Sequence, residues 1–415
     1  MKHPPEHFDI IIVGGGASGM MAAGVAREGL LRSSELRRTE GQKHSRILLL
    51  EKNKRCGEKL RISGGGRCNI TNAEYDIRKL LKNYGDGEQF LYSPFSQFGV
   101  PETFAFFESR GLPLVVQARK RAFPVTESAP DVARIMEDYA RQDGVTVRTN
   151  EKVSRIIMKG DRIATIISNK REYSADVFIF SSGGSSHPET GSTGDGFSWL
   201  RNVGHTVLAP TPTLVPLSVK EDWVKSLSGV SLSFMKITFF SEGIKKFSQK
   251  GKILFTHFGL SGPLILNSAS KVADLLHAGN VTAHIDAYPD TDCGALEDRV
   301  LEIFPAGFAP AFSLIFKNID SEKKVHSVTK EERKEITQTL KAIPLTIIGL
   351  MGYDRAVVAD GGVPLSEIDT KTMRSKICKN LFITGDLLNI RRPSGGYSLQ
   401  LCWTTGFVAG GNAGK

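Results

Sequence analysis

The sequence predicts an α/β protein in which a discontinuous Rossmann-like domain carries an inserted domain of strands and helices. Three observations predict this fold. A short apolar run, FDIIIV at residues 8–13, leads into a G-x-G-x-x-G pattern and then into residues typical of a helix. From about residue 206 the pattern changes to short strands followed by longer helices. Near the end of the chain, NLFITGDLLNI (380–390) is again a strand followed by Gly-Asp.

These changes of pattern set the expected domain boundaries. We expect residues 1–205 and 351–415 to form the discontinuous domain, and residues 206–350 to form the insert. Within the insert, 206–270 is predicted to be strand-rich and 271–350 mainly helical.

The first glycine-rich loop has the residues that a dinucleotide pyrophosphate requires. Gly14, Gly16 and Gly19 fall on the three glycines of the pattern. They give a tight turn, close approach of backbone to pyrophosphate, and close packing of helix on strand. Ala17 and Ser18 would lie in the first turn of the helix, whose free N–H groups attract phosphate.

A second strand, RILLLEKN (46–53), ends near an acidic residue, Glu51. An acidic side chain at this point accepts hydrogen bonds from an adenosine ribose and suits a free 2′-hydroxyl rather than a 2′-phosphate. Glu51 lies further along the chain than is usual, and a polar insertion at 33–45 explains the excess.

The second run of three glycines lies in RISGGGRCNITN (61–72) and has no strand before it. Gly64, Gly65 and Gly66 would keep side chains away from backbone that lies along the dinucleotide. Arg67 and Asn69 would fix backbone or phosphate. Cys68 is either a proton donor or redox thiol, or a small residue buried in a tight loop.

Composition narrows the class of protein. The net charge is +10 and the pI about 9.3, which indicates either a polyanionic partner such as RNA or simple solubility. Basic residues concentrate at 52–67, 118–121 and 236–252. Five cysteines without regular spacing predict neither a disulfide framework nor a metal site. This cysteine usage predicts a cytoplasmic location. No uninterrupted apolar run approaches ~18 residues, so we expect no membrane span.

Taken together and in order, the motifs resemble one family. VGGGASGMMAA, LEKN, SGGGRCNITN, FPVT, SSGGSSHPETGSTGDGF, ILFTHFGLSGP, ADGGVPLSEID, TMRSKI and GGYSLQ are similar to those of the HI0933-like (BaiN/RdsA) family of FAD-dependent oxidoreductases. The resemblance covers almost the whole chain. It implies an FAD domain of glutathione-reductase type.

The resemblance also implies which residues bind FAD. It implies that the first glycine loop binds the pyrophosphate, that Glu51 binds the ribose, and that later segments bind the ribityl chain and the flavin. The implied residues are Gly14, Gly16, Ala17, Ser18, Gly19, Glu51, Lys59, Ser63, Gly64, Gly65, Gly66, Arg67, Asn69, Val153, Gly184, Gly385, Asp386, Tyr397, Ser398 and Leu399. The chain departs from the family at Asp386 and Asn389, where Glu and Asp are usual, and in SSGG and GGYSLQ.

Four further residues are expected on the substrate side. His257 and Ser261 in THFGLSGP would either shape the substrate site or form a structural turn. Arg119 and Arg121 would contact a polyanion or simply be solvated. No second G-x-G-x-x-G follows a strand, so NAD(P)H, the expected electron donor, would reach the flavin through an open cleft.

The expected chemistry is hydride transfer from the flavin to a conjugated C=C bond. The family is associated with steroid-type enones and with a uridine of ribosomal RNA, which is reduced to dihydrouridine. The charge of +10 favours an RNA substrate, because exposed basic residues bind the phosphates of RNA. A small-molecule ene-reductase and a non-catalytic, flavin-stabilised RNA-binding factor are the alternatives.

Overall fold

The computed structural model describes residues 4–36, 46–302, 308, 311–320 and 322–414. The strands are β1 (Glu6–Val13), β2 (Ile47–Leu50), β3 (Thr71–Asn72), β4 (Leu114–Gln117), β5 (Arg121–Pro124), β6 (Val145–Arg148), β7 (Val153–Lys159), β8 (Arg162–Ser168), β9 (Glu172–Phe180), β10 (Leu208–Thr213), β11 (Leu217–Val219), β12 (Ser231–Ser241), β13 (Ile244–Thr256), β14 (Gly259–Ser261), β15 (Val281–Asp286), β16 (Ile343–Leu350), β17 (Val358–Gly362) and β18 (Leu381–Ile383).

The α-helices are α1 (Ala17–Leu36), α2 (Glu58–Ile62), α3 (Ile77–Leu81), α4 (Glu88–Gln97), α5 (Val100–Glu108), α6 (Ala129–Ala140), α7 (Asp195–Val203), α8 (Trp223–Ser226), α9 (Pro263–Ala278), α10 (Cys293–Arg299), α11 (Phe312–Ile315), α12 (Lys330–Lys341) and α13 (Tyr397–Ala413). Short turns include Ser63–Gly66, Ala118–Lys120 and Gly385–Leu387. Helix α1 continues into the segment predicted to be a polar insertion, of which residues 37–45 lie outside the described residues.

The chain divides into two compact units. Residues 1–212 and 358–415 form the first unit, and residues 213–357 form the second. Both boundaries fall later than the expected positions. The chain enters the second unit after β10 and leaves it before β17, and these two strands pair with each other. The part of the insert predicted to be mainly helical also supplies two strands, β15 and β16.

The first unit is built on a seven-stranded sheet with the order β6-β2-β1-β9-β8-β7, in which β18 also pairs with β9. Strands β6, β2, β1, β9 and β18 are parallel, and β7 and β8 are antiparallel additions. The parallel strands read as continuous apolar runs such as ILLL and IIIV, because helices cover both faces.

Helices α1 and α13 approach each other closely because small residues line their contact. A Cβ at Gly406 would stand 2.4 Å from the carbonyl oxygen of Ser18, and one at Gly410 would stand 2.5 Å from that of Ala22. The spacing of four residues puts both glycines on one face of α13. This contact holds the beginning of α1 against the helix that follows GGYSLQ.

A buried polar network fixes the start of α13 to the small antiparallel sheet β3-β5-β4. The Gln400 side-chain oxygen accepts hydrogen bonds from the hydroxyls of Thr71 (2.6 Å) and Thr103 (3.0 Å). The Trp403 indole N–H donates to the carbonyl of Ile70 (3.0 Å). Because these groups are out of contact with water, each needs its partner, and the network specifies one position of the helix.

The second unit is a closed barrel with the strand order β11-β14-β13-β12-β15-β16. Alternating residues such as Ile237, Phe239 and Ile253 fill its interior. The long hairpin of β12 and β13 is its largest pair of strands. Helices α9 and α12 contribute buried residues to the same core.

Candidate active site

Four parallel strands of the first unit end at the same level. Val13 is in register with Leu50 and with Phe180, and Phe180 is in register with Ile383. The residues that follow these strands therefore share the carboxyl edge of the sheet, where ligands bind in open α/β folds. This edge brings together Gly14, Glu51, Ser181 and Gly385, which are distant in the sequence.

The three glycines of the first loop have different surroundings. Gly14 has φ +108°, and a Cβ there would stand 2.5 Å from the Ser181 carbonyl oxygen. A Cβ at Gly19 would stand 1.9 Å from the Gly14 carbonyl oxygen. At Gly16 a Cβ would meet nothing within 4 Å. The protein itself thus requires Gly14 and Gly19, whereas Gly16 leaves open space beside the backbone.

The loop also contacts the last strand of the sheet. Gly385 has φ +61°, and a Cβ there would stand 2.9 Å from the Ser18 hydroxyl. A Cβ at Gly184 would stand 3.4 Å from the Cβ of Asp386. The structure therefore groups Ser18, Gly184, Gly385 and Asp386, all of which were predicted from the sequence.

The Glu51 carboxylate is held by backbone. It accepts hydrogen bonds from the N–H groups of Gly15 (2.8 Å) and Asn53 (2.8 Å). Burial raises the pKa of this carboxyl group, although both hydrogen bonds favour the charged form. The N–H of Glu151 donates to the Glu51 carbonyl (3.0 Å), which brings the segment leading to Val153 beside it.

The second glycine segment is a left-handed turn in which Gly64 packs against the backbone of Asn69, whereas Gly65 and Gly66 have open surroundings. Gly64, Gly65 and Gly66 have φ values of +58°, +67° and +86°. Cβ atoms at Gly65 and Gly66 would meet nothing within 4 Å. The turn is closed by the Cys68 N–H, which donates to the Ser63 carbonyl (3.0 Å). The bare backbone predicted for this segment is therefore present.

Two asparagines join this segment to the start of α13. With its amide oriented to satisfy these neighbours, the Asn69 side chain accepts from the N–H of Gly396 (3.0 Å) and donates to the carbonyl of Thr71 (3.1 Å). The Asn72 amide donates to the Gly395 carbonyl (3.2 Å). Tyr397, Ser398 and Leu399, in the first turn of α13, consequently lie next to the second glycine segment.

Arg392 is a buried residue of this region that the sequence reading missed. Its guanidinium donates to Asp386, to the Ser398 hydroxyl (3.0 Å) and to the Ile390 carbonyl (2.8 Å), and its side chain is 1% exposed. Two predicted FAD-contact residues, Asp386 and Ser398, are thereby joined by one cation. The run Arg391–Arg392 inside a glycine-rich loop was the available signal.

Lys59 adds a second cation to the same cluster. Its ammonium donates to the Ser186 hydroxyl (3.1 Å). Desolvation lowers the pKa of Lys59; nearby Arg392 acts in the same direction and Asp386 opposes it. Lys59 and Arg392 thus lie close to the carboxylates of Asp386 and Glu189, and the two cations are available to a negatively charged ligand.

Cys68 lies inside the hydrophobic core. Its side chain is fully buried, and desolvation raises the pKa of the thiol to about 12. The backbone of Cys68 has φ +57° and completes the left-handed turn. These properties favour packing over proton donation.

An arginine-rich turn lies beside the second glycine segment. The Asn72 amide that contacts Gly395 also donates to the carbonyl of Arg119 (3.2 Å). Arg119 and Lys120 both have positive φ values, +62° and +57°. The guanidiniums of Arg67 and Arg121 lie 4.5 and 5.9 Å from the centre of the Phe123 ring. Desolvation, Arg119 and Arg67 together lower the pKa of Arg121, so the positive charges are close enough to repel one another.

The remaining predicted residues belong to the second unit. His257 lies in the turn between β13 and β14, with its ring 4.9 Å from that of Phe258. Ser261 ends β14 opposite Leu254. Their substrate-side role stays a prediction.

The first unit fits a flavin dinucleotide. Gly16, Gly65 and Gly66 leave uncovered backbone, the N-terminus of α1 is directed to the same edge, and Lys59 and Arg392 supply positive charge. The site has the backbone donors and cations that a pyrophosphate and a reduced flavin require.

The described part of the chain has neither a membrane-spanning helix nor a cluster that supports a metal assignment. No helix there combines the length and apolar character of a membrane span. His7, Asp9 and Asp176 place potential metal-ligand atoms within 4.8 Å of one another, but they are largely exposed and give no reason to assign an ion.

Comparison with known proteins identifies the family. The HI0933-like protein Rossmann domain matches residues 8–412. The chain belongs to the HI0933-like family. This confirms the resemblance seen in the motifs, and it makes the chain a member of an oxidoreductase family with an FAD-binding fold.

Two curated relatives of this HI0933-like chain match along almost the whole length. A 3-dehydro-bile acid delta(4,6)-reductase of Clostridium scindens is 27% identical, over 96% of this chain and 97% of the relative. A ribosomal RNA dihydrouridine synthase of Haemophilus influenzae is 24% identical, over 97% of this chain and 98% of the relative.

Solved structures support the fold of this HI0933-like chain. The FrdA subunit of Escherichia coli quinol fumarate reductase matches with a TM-score of 0.56 at 14% identity, covering 100% of this chain and 70% of FrdA. A 3-ketosteroid delta1-dehydrogenase from Sterolibacterium denitrificans matches with a TM-score of 0.50 at 13% identity, covering 98% and 99%. The predicted Rossmann-like α/β class is therefore confirmed.

Proposed function

We propose that this chain is a cytoplasmic FAD-dependent reductase that adds two hydrogens across the conjugated C=C bond of a uridine in ribosomal RNA. The observation that carries the RNA substrate is the arginine-rich turn. One amide, that of Asn72, bridges the backbone of Arg119 and that of Gly395, so the turn lies beside the proposed flavin segment. Arg67 is paired with Glu127 (3.3 Å) and Lys120 with Glu74. Arg119 and Arg121 form no ion pair with a carboxylate among the described residues, and guanidiniums at such a position suit the phosphates that flank a target base.

The strain in this turn supports a functional role. Two consecutive non-glycine residues, Arg119 and Lys120, adopt left-handed backbone conformations. Each costs about 1–2 kcal/mol. Such strain persists where the position of a side chain matters, and here it positions cations.

FAD, when bound, would supply a hydride to one carbon of the C=C bond. We propose NAD(P)H as the electron donor. The residues proposed to hold it are those at the carboxyl edge of the sheet. Gly16 and Ser18 would lie along pyrophosphate, Glu51 would accept from ribose, and Asp386 would accept from the ribityl chain.

The second hydrogen must arrive as a proton at the other carbon. Lys59 is a better candidate for this acid than Cys68, because burial lowers the pKa of its ammonium while the pKa of the thiol is raised to about 12. Lys59 also belongs to the charged cluster with Asp386, whereas Cys68 packs in the core.

A small-molecule ene-reductase is the second candidate function. The bile acid reductase of Clostridium scindens is 27% identical to this chain, and the RNA-modifying enzyme of Haemophilus influenzae is 24% identical. Both substrates contain a C=C bond conjugated with a carbonyl group. The chemistry proposed for the flavin and for Lys59 is therefore the same in both cases.

Mass spectrometry of ribosomal RNA, from cells with and without the gene, tests the proposal. We expect one dihydrouridine to disappear on deletion. It should return with the wild-type gene but not with an R119A/R121A variant that retains its FAD. Unchanged dihydrouridine, together with oxidation of the reduced flavin by a steroid enone, would favour the second candidate. RNA binding without any bleaching of the flavin by NAD(P)H would indicate a non-catalytic RNA-binding factor.

A further inference from the structure

The outward face of the β12–β13 hairpin, in the second unit, carries side chains that the proposed reductase chemistry does not use. Residues of β12 that point into the barrel are Met235, Ile237 and Phe239, so the residues between them point outward. On the outward side, Lys236 stands opposite Lys250, and Thr238 opposite Ser248. We call this side, with Phe234, Phe240, Lys245 and Lys252, the hairpin face.

Phe234 is the most unusual residue of this face. It is 80% exposed and has φ +63°, a conformation that bulky residues avoid. The register shifts between Leu232 and Met235, so Phe234 belongs to a bulge that faces Lys252 on the neighbouring strand. Bulges re-aim side chains, and this one directs an aromatic ring into water beside a lysine.

The pair formed by Lys236 and Lys250 is unfavourable within the protein. Like charges directly opposite each other destabilise a sheet. Lys250 has one exposed partner, Asp290. On its other side Lys236 stands opposite Asp286, but that carboxylate is engaged by the ammonium of Lys341 (2.9 Å). The two lysines thus contribute positive charge that the described neighbours do not neutralise fully.

Further along the hairpin the same pattern repeats. The hydroxyls of Thr238 and Ser248 are hydrogen-bonded to each other (2.9 Å). Phe240 stands opposite Lys245, and its ring lies 4.7 Å from the ring of His284 on β15. On the hairpin face, β12 thus carries two aromatic rings with Lys236 and Thr238 between them, and β13 carries lysines and Ser248 opposite them.

We propose that the hairpin face binds single-stranded RNA. Aromatic rings stack on unpaired bases while neighbouring lysines follow the phosphates, and a duplex offers no free base for such stacking. The surface would hold an unpaired stretch of the RNA substrate, so the inference rests on the proposed function. The structural evidence for it comes from the second unit alone.

Fluorescence anisotropy tests this surface, with FAD-loaded full-length protein and a labelled single-stranded RNA of twelve nucleotides. We expect F234A to weaken binding about tenfold, as for loss of one stacked base. We expect K236A/K250A to weaken binding at low salt and to lower the slope of log affinity against log salt by about 1.4. Matched controls are I348A, another exposed apolar residue of the barrel, and K334A, an exposed lysine of α12.

Each alternative occupant gives a different result. Equal RNA affinity for wild type and both hairpin variants overturns the proposal, as does wild-type protein that binds no RNA. Equal binding of double-stranded RNA with no effect of F234A overturns the stacking role. If both hairpin variants keep the RNA affinity of wild type, binding to anionic lipid vesicles would assign the face to a membrane. A dimer that F234A dissociates would then assign it to a second copy of the chain.

This experiment is separable from the test of the proposed function. If the hairpin variants lose RNA affinity but deletion of the gene leaves dihydrouridine unchanged, the surface stands and the reductase assignment fails. If dihydrouridine depends on the gene but not on Phe234 or the lysine pair, the reductase assignment stands and this surface is excluded.

Discussion

Gly14–Gly16 and Gly64–Gly66 differ in what surrounds their backbone. In the first segment, a Cβ at Gly14 would collide with Ser181, and Gly19 beyond it has even less space. In the second segment, all three glycines adopt left-handed conformations, and Gly65 and Gly66 face open space. Packing thus constrains Gly14, which also has a positive φ, and Gly19, whereas Gly65 and Gly66 are constrained by their backbone conformation and not by neighbouring atoms.

The largest effect on folding is expected from G19A. The new Cβ would stand 1.9 Å from the Gly14 carbonyl oxygen, so β1 and α1 would have to move apart. We expect the free energy of unfolding to fall by about 4 kcal/mol or more, which denaturant titration of the apoprotein measures.

G29A is the matched control for this change. Gly29 also lies in α1, is exposed, and would give a Cβ with no neighbour within 4 Å. Here alanine should stabilise the helix by about 0.5–1 kcal/mol. Equal losses for the two variants would show that packing at Gly19 is not what constrains the loop.

In the second segment, G65A should cost about 1–2 kcal/mol of folding free energy, because an L-residue is strained at φ +67°. Its new methyl group enters open space, so we also expect FAD to bind about tenfold more weakly. Flavin fluorescence titration of the apoprotein measures this affinity.

G160A separates these two effects. Gly160 has φ +64° and no neighbour within 4 Å of its Cβ position, but it lies in the β7–β8 turn. It should lose similar stability and keep its FAD affinity. If both variants bind FAD as tightly as wild type, the second segment does not contact the cofactor.

G16A sharpens the comparison inside the first loop. Gly16 has neither a left-handed backbone nor a neighbour within 4 Å. We expect the stability of the apoprotein to change by less than about 0.5 kcal/mol, while FAD affinity falls about tenfold. A stability loss like that of G19A would contradict the separate roles given to the two glycines.

The smallest effect is expected in the chemical reactivity of two thiols near these segments, those of Cys56 and Cys68. Burial raises the pKa of Cys56 to about 12, as it does that of Cys68. Native protein at pH 8.5 should therefore show almost no alkylation of either residue by iodoacetamide, while exposed Cys293 reacts. Mass spectrometry of tryptic peptides measures the labelling.

The same pKa shifts set the direction of a pH effect on stability. The folded protein keeps thiol protons that the unfolded chain loses above pH 9, so stability is fully present below pH 9 and falls as the pH rises toward about 12. Rapid labelling of Cys68 in the native state would reopen its role as a redox thiol.

The sequence predicted those parts of the site that depend on local spacing. Gly14, Gly16 and Gly19 were assigned from a pattern six residues long, and Glu51 from the strand that precedes it. The parallel strands then bring these positions together, because their carboxyl ends share one edge.

Contacts between distant segments could not be predicted in this way. Arg392 was missed because its burial depends on how the chain folds back onto Asp386 and Ser398. The exposure of Phe234 arises from a bulge, which shifts the register of a strand whose composition predicts only alternation. The domain boundaries were placed too early because pairing between β10 and β17 leaves no local signature.

The contact of α13 with α1 has a consequence for synthesis on the ribosome. The barrel comes from one uninterrupted stretch, residues 213–357, so it can fold as soon as that stretch emerges. The first unit cannot be completed until β18 and α13 have been synthesised, because β18 pairs with β9 and because Gly406 and Gly410 of α13 pack against α1. Nascent chains in which residue 357 has left the ribosome and β18 has not should therefore hold a finished barrel and an incomplete first unit, whose unpaired β9 edge is then open to chaperones.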